Sequence, residues 1–474
     1  MKIEKDQLDF NFSRGFDFQK NIEKLTDDEL NFLGEFNNSL LRKHLKFLIT
    51  ELYSLWREAP SQFLSVSMSK RGYKARSRYN PNCISSATIE AIKFLKSQSL
   101  IEFHPGFFDI KRKISRQSRI KASNSLVEIF KKYSITANDI MFPKDREFII
   151  LLDKKKKLTE YTDNFDTHEI REIVMNYNNI ISKTFFDIPN LEENFIRRVD
   201  GAKIAISDYC KCQNLVYETK ILGRKKFFGS WWHKLDYVTL EKISSHMLIN
   251  DSDTSYLNLS SLFPFFLKQK TGVFLNNHDL ELIKRKNIFI NTDASLFIII
   301  SKLINSNNFS GFFRSLSNDR KKVGINMSVS KKSVEDLLIF FEKKFFRLYR
   351  LFFSKVFDWD DELAGILSNL LKNFGSANVN IPIIMIKDYF FYPSKVEKNV
   401  LNYFGMLLER KLKNQKFRLF TRKCYSYKQS SNRSIFKTLI SNNLVYSKRY
   451  CNNRKKFEIS MKKNRSWNNH PMSN

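Results

Sequence analysis

The stretch Lys111-Arg112-Lys113-Ile114-Ser115-Arg116-Gln117-Ser118-Arg119-Ile120 carries five cations and no acid. Guanidinium and ammonium groups at that density suit one task, holding phosphate oxygens, with arginine supplying a two-pronged fork and lysine a point charge. Arg76 and Arg78 lie upstream, and residues 60–121 hold thirteen Lys and Arg against three acids. Residues 410–474 are more lopsided still, with eighteen cations against Glu458 alone. Over all 474 residues, 81 Lys and Arg face 49 Asp and Glu, for a net charge of +32. AT-rich codons would scatter lysines evenly, whereas clustered ones point to a polyanion, DNA or RNA, because each phosphate contact releases counterions.

Other chemistries lack their residues. Thirteen glycines and no G-K-[ST] leave no Walker loop, and there is no G-x-S-x-G elbow or H-E-x-x-H pair. Of Cys83, Cys210, Cys212, Cys424 and Cys451 only Cys210 and Cys212 are close, so no zinc ribbon is spelled and free thiols in a reducing compartment are expected. His233 and His246 stand isolated among seven dispersed histidines. The N-terminus lacks a signal-peptide pattern. The longest nearly apolar run, Ser295–Ile304, is too short for a membrane span and is broken by Lys302. The expected location is cytoplasmic.

The elements that must position the cations follow from periodicity. Residues 1–60 read as a helical segment, with Leu25–Trp56 apolar at three- and four-residue spacing behind the cap signal Thr26-Asp27-Asp28-Glu29. In residues 61–125 the turn Tyr79–Ser86 leads into a helix, Ala87–Leu100, with Ile89, Ile92, Leu95 and Leu100 on one face. A turn flanked by strand-like residues, Ile101–Asp109, comes next, followed by the basic stretch. Helix, hairpin and basic edge is the order of a winged helix, which lays a helix in the major groove and a wing on phosphates. On that reading Arg76, Arg78, Lys111, Arg112, Lys113, Arg116 and Arg119 contact the nucleic acid. Residues 126–200 read as a helical connector with a solvated lysine loop, Lys154–Lys157, and a helical pattern ending near Pro189. Ser306–Ser330, rich in Ser, Asn and Gly, reads as a loop, and Val334–Phe357 as one long helix with its Phe residues in a core. Residues 409–474 form a basic tail interleaved with Phe417, Phe420, Tyr425, Tyr427, Phe436, Tyr446, Tyr450, Phe457 and Trp467, a pattern suited to single strands. The alternative is a disordered extension from about Asn452.

Three further segments stand in order: Gly223-Arg224-Lys225-Lys226-Phe227-Phe228-Gly229-Ser230-Trp231-Trp232-His233, Tyr256-Leu257-Asn258-Leu259-Ser260-Ser261-Leu262-Phe263-Pro264, and Ile381-Pro382-Ile383-Ile384-Met385-Ile386-Lys387-Asp388-Tyr389-Phe390. Together with Thr88 and Ser115–Ile120 upstream, they resemble a poorly characterised family from bacteria, phages and mobile elements. Its better-preserved members read roughly G-G-R-F-Y-G-x-W-W-Q, E-L-D-Y-S-G-L-H-P and G-I-P-x-L-x-I-H-D-S-F, the last two similar to motifs A and C of family A DNA polymerases. The resemblance covers about residues 75–408 and implies a polymerase-like palm in residues 201–408. It places Asn258 and Asp388 at the two catalytic positions and Asp360 near them. Asp388 is then the metal ligand, and Arg224, Lys225 and Lys226 are phosphate contacts beside the palm.

Nucleotidyl transfer needs two carboxylates on adjacent strands to bridge two divalent ions, Mg²⁺ in the ordinary case. Here the first is an amide, Asn258, and Leu259, Phe263, Lys387 and Tyr389 also depart from the pattern. The helix expected over Asp293–Ile304 offers Lys302 as its single cation. Asp360-Asp361-Glu362-Leu363-Ala364 still fits a D-S-x-I-A pattern. The expectation is an α+β nucleic-acid-binding protein with a degenerate, inactive palm, in a mobile-element or phage context. Two alternatives stand beside it: a plasmid replication initiator or transcription regulator acting by DNA binding alone, and an active nucleotidyltransferase with a rearranged acid pair.

Overall fold

The computed structural model describes residues 9–34, 38–112, 114–143, 145–286, 292–323, 325, 329–376, 380–412, 419, 421–423 and 446–468. The cap signal at Thr26 is realised, with the Thr26 N–H donating to the Glu29 carboxylate at 2.8 Å and the Glu29 N–H returning to the Thr26 hydroxyl. It opens only a short 3-10 turn, Asp28–Leu33, closed by Gly34 at φ 84°. The long helix starts later, as α1 (Ser39–Glu58), capped by Asn38 and buried along Leu45, Leu48, Leu52 and Leu55. It packs on α2 (Thr88–Ser97), the helix expected from Ile92 and Leu95.

These helices cover a sheet of order β1-β2-β6-β3, made of β1 (Ser13–Arg14), β2 (Phe63–Val66), β3 (Ile101–His104) and β6 (Ser118–Ala122). Between β3 and β6 the chain runs out into a separate hairpin, β4 (Phe107–Asp109) with β5 (Ile114–Arg116). A Cβ on Gly106 would sit 2.3 Å from the Arg116 carbonyl oxygen, so glycine is required where the hairpin departs.

The stretch read as a helical connector holds α3 (Asn124–Phe130), α4 (Ala137–Met141) and α5 (Phe165–Ser182), but also β7 (Ile149–Leu152), β8 (Phe186–Asp187) and β9 (Phe195–Arg197). After β10 (Lys203–Ala205), β11 (Asn214–Glu218) pairs in parallel with β7 and antiparallel with β12 (Lys225–Phe228). Next come α6 (Tyr237–Ile243), β13 (Leu248–Ile249), which pairs with β8, and β14 (Thr254–Asn258).

Among the described residues seven helices separate β14 from its sheet partners: α7 (Phe263–Thr271), α8 (Asn277–Lys286), α9 (Asp293–Asn305), α10 (Phe309–Asp319), α11 (Lys331–Lys344), α12 (Phe346–Tyr349) and α13 (Trp359–Ser376). The stretch expected to be a loop therefore contains α10, because Asn308 caps it and Phe312 and Leu316 bury one turn apart. The single long helix expected over Val334–Phe357 breaks at Phe345 and ends at Tyr349. Beyond it, the N–H groups of Phe353 and Lys355 bond the Leu303 and Ile304 carbonyls at the end of α9, each at 2.8 Å, with both residues at positive φ.

The chain then returns as β15 (Ile384–Ile386) and β16 (Tyr389–Pro393), followed by α14 (Glu397–Leu412) and β17 (Thr421–Lys423). The second four-stranded sheet has the order β15-β16-β14-β17, antiparallel throughout. One apolar core runs from Ile22 to Leu412 across these segments. The fold is thus mixed α+β with small sheets. Among the described residues no helix is long and apolar enough to cross a membrane.

The tail is helical where a disordered extension was the alternative: α15 (Lys448–Asn468) docks on the body. Tyr450 and Phe457 are buried against Phe185, with Tyr446 packed beside them. The Tyr450 and Phe457 rings are spent on packing, so they offer no stacking platform for bases. Phe417, Phe420, Tyr425, Tyr427 and Phe436 lie outside the described residues, as does the side chain of Trp467.

Candidate functional site

Apolar strands deliver the two expected catalytic positions to one place. In β14, Tyr256 and Leu257 are buried, and Asn258 at the strand's end lies opposite Tyr389 of β16. The turn from β15 to β16 is Lys387-Asp388, with Lys387 left-handed at φ 57°. The Leu259 N–H donates to the Asp388 carbonyl oxygen at 2.9 Å, which ties the end of β14 to that turn. Residues 258 and 388 are therefore neighbours across adjacent antiparallel strands.

Their side chains are not poised alike. The Asn258 Oδ1 accepts the Ser260 N–H at 2.8 Å and so serves as a local cap. Asp388 is 2% exposed, and its Oδ1 has no hydrogen-bond partner. Burial pushes its pKa up to about 7, with the nearby Asp360 charge adding and Lys387 opposing. The pKa of the half-buried Tyr237 is displaced upward by desolvation and by the Asp388 and Asp360 charges.

Next to the turn opens a cleft of about 560 Å³, lined among others by Lys387, His233, Asp358 and Asp360. Asp360 is exposed at the start of α13. Asp358 is pushed up to about 6 by burial and by Asp360. His233 is driven down to about 3 by burial and then by Lys387, so it is neutral across the physiological range. Several cations of the cleft are already paired: Lys302 with Asp319 at 2.8 Å, Lys322 with Asp319 at 3.1 Å, and Arg198 with Asp200. Among the described residues no group of three or more His, Cys, Asp and Glu gathers as a metal-holding cluster.

The three basic residues before Phe227 divide their duties. Arg224 bonds the Lys355 carbonyl and lies 3.5 Å from Asp358. The Lys225 main-chain N–H donates to Asp361 at 3.1 Å, and burial holds its ammonium below the usual lysine range. Lys226 is half-buried on β12. Asp358 is a site residue that the motif comparison passed over, and Asp361, which it quoted only within the Asp360–Ala364 pattern, takes the Lys225 N–H.

The N-terminal cations also split. Arg78 stacks on the Tyr161 ring at 3.6 Å and reaches Glu147 and Asp163, each at 3.3 Å. Arg119 is buried and donates to the Phe10 carbonyl and the Ser65 hydroxyl. Both are structural, since these donors are consumed within the fold. Arg116 lies over the Phe10 and Phe107 rings, at 4.1 and 5.3 Å. Arg76, Lys111 and Arg112 remain open to solvent. Lys113 lies outside the described residues. Around the hairpin tip Phe108 is 71% and Ile110 76% exposed, beside Lys111 and Arg112.

The four described cysteines, Cys83, Cys210, Cys212 and Cys451, are free thiols, and Cys424 lies outside the described residues. No family model matches the chain, and no curated protein matches it either.

Proposed function

We propose that this chain binds nucleic acid and that its second sheet is a polymerase-like palm that has lost nucleotidyl transfer. The observation that carries the palm reading is the bond from the Leu259 N–H to the Asp388 carbonyl. It ties positions 258 and 388 together across adjacent strands, with a helical insert between those strands, and the neighbouring Lys387 lines the cleft while neither of the two does. Loss of transfer follows from the side chains. An amide at 258 supplies no charge to a divalent ion, and a buried Asp388 near neutrality supplies half of one at pH 7. The cleft cations that would meet a triphosphate are largely neutralised by Asp319 and Asp200. Mg²⁺ would need Asp388 as its ligand, and the pair of carboxylates that bridges two ions is missing.

Primer extension with Mg²⁺ or Mn²⁺ is expected to give no product with the native chain. Asn258→Asp supplies the second carboxylate and is expected to tighten Mn²⁺ binding at least about tenfold, a gain of about 1.4 kcal/mol. Electron paramagnetic resonance of free Mn²⁺ reads that change. Product from the native chain overturns the loss of transfer, and an unchanged Mn²⁺ affinity in the variant overturns the palm.

For the N-terminal module the supporting features are the strand order β2-β6-β3, the helix α2 before the hairpin, and the exposed Lys111 and Arg112 at its tip. This arrangement favours a winged-helix reading, with the hairpin on the phosphates. Exposed Phe108 and Ile110 suit contact beyond the phosphates, with sugars or bases. Replacing Lys111 and Arg112 by Gln is expected to lower the slope of log K against log salt by about 2, since each lost phosphate contact removes about 0.9 on duplex DNA. Titrations on duplex DNA, single-stranded DNA and RNA across salt concentrations measure it. An unchanged slope on all three removes the hairpin from the interface.

A further inference from the structure

A second cavity, of about 280 Å³, has none of its walls in common with the cleft beside Asp388. Its lining comes from the end of α1, the segment Tyr133–Ala137, the segment Phe185–Asp187, the turn Ile206–Tyr209 and one face of α15. Two cations line it, Arg57 from α1 and Lys456 from α15, the second keeping contact with solvent. The Arg57 guanidinium lies 5.8, 6.0 and 6.0 Å from the ring centres of Tyr53, Trp56 and Tyr209, and donates to the Tyr53 hydroxyl at 3.3 Å. Those contacts orient the fork without neutralising it.

The carboxylates in the same wall are already engaged. Asp187 is held by Arg449 at 2.7 Å, and Asp208 is paired with Lys211. Among the described residues neither Arg57 nor Lys456 has an acid within ion-pair distance. Burial holds the Lys456 ammonium below the usual lysine range, and repulsion from Arg57 lowers it further, with Asp208 opposing. Two like charges facing one aromatic-walled cavity cost free energy in the empty protein. An anion entering the cavity removes that cost.

We infer that this cavity is a binding site for a phosphate monoester, held by Arg57 and Lys456, with Ser460 in the same wall. The charge selects the monoester: it carries about −1.5 to −2 at pH 7, a match for two cations that a carboxylate or a diester does not make. The planar fork of arginine fits phosphate oxygens in pairs. Tyr133, Tyr209 and Phe185 also line the cavity, so the group that the phosphate is joined to would meet largely aromatic surroundings. Such an ester reaches the protein either as a free mononucleotide or as the 5′-phosphorylated end of a strand. The site is independent of the palm, so its failure leaves that reading untouched.

Thermal denaturation of the full chain tests it, with inorganic phosphate compared against chloride at equal ionic strength. Phosphate is expected to raise Tm. Lys456→Met is expected to raise Tm without phosphate, because the repulsion is relieved, and to weaken phosphate affinity at least about tenfold, the loss of one charged hydrogen bond. Lys455→Met, one residue away and outside the cavity wall, should behave as the native chain does. Thymidine monophosphate and a thymidine oligonucleotide with and without its 5′-phosphate then identify the source. Binding of the mononucleotide alone assigns the free ester, and a gain from the 5′-phosphate on the oligonucleotide assigns the strand end. No phosphate-specific shift in the native chain, or the same affinity in Lys456→Met, overturns the site.

Discussion

Asp388→Asn is expected to make the protein more stable at pH 8 and to leave it nearly unchanged at pH 4. The native carboxyl is buried, its Oδ1 is unpartnered, and its pKa is pushed up to about 7. In the unfolded chain the same group titrates near about 3.9. Between those values the folded protein holds a proton that the unfolded chain has given up. Stability therefore falls as pH rises through that window, then levels off above about 7. A displacement of that size corresponds to about 4 kcal/mol at full ionisation. An asparagine carries no charge to bury but leaves a polar atom unsatisfied, at about 1–3 kcal/mol, as the native oxygen does. That penalty is common to both proteins, so the gain expected at pH 8 is up to about 4 kcal/mol. Urea unfolding of both proteins at pH 4, 6 and 8, in chelator, measures it. If the variant gains nothing at pH 8, Asp388 has a cationic partner in solution and is not a stranded ligand.

The same residue shows what was legible beforehand. Apolar runs at Tyr256–Leu257 and Ile383–Ile386 announce buried strands, and two such strands bearing Asn258 and Asp388 at their ends invite pairing. Register is a different matter. Nothing local in the sequence says that Leu259 bonds the Asp388 carbonyl, because the partners lie far apart in the chain and a slip of one residue would turn each side chain to the other face. The burial of Asp388 was equally illegible. Its electrostatic neighbours Tyr237 and Asp360 likewise arrive from distant parts of the chain.

Cations were easy to count and hard to apportion. Arg78 and Arg119 sit in the same basic stretches as Arg76, Lys111 and Arg112, yet the fold turns them inward. Composition registers charge, whereas exposure is decided by partners such as Glu147, Tyr161 and the Phe10 carbonyl, which come from other segments. The described end of the tail shows the same division. Its aromatic and basic alternation fits a single-strand platform, but Tyr450 and Phe457 fall on one face of α15 and find Phe185. The helix α2, whose face is set by local spacing, was legible to within a few residues, whereas α5 stops at Ser182, short of the expected end near Pro189.

Arg449→Ala is expected to cost about 3–5 kcal/mol, because it strands a buried carboxylate. Arg449 is 4% and Asp187 2% exposed at the side chain, and their nearest atoms are 2.7 Å apart. The guanidinium donates to both Asp187 oxygens and to the Leu191 and Ile188 carbonyls, so its loss deprives four acceptors of that donor. Burial raises the Asp187 pKa more than Arg449 lowers it, so the pair holds α15 in place without being a large net source of stability. Replacing both partners with apolar residues, Arg449→Met with Asp187→Leu, is therefore expected to recover most of the loss. Urea unfolding of the single and double variants measures the difference, and limited proteolysis reports whether α15 has left the body. A single variant within about 1 kcal/mol of the native chain would place Asp187 in contact with water and detach α15 from the fold.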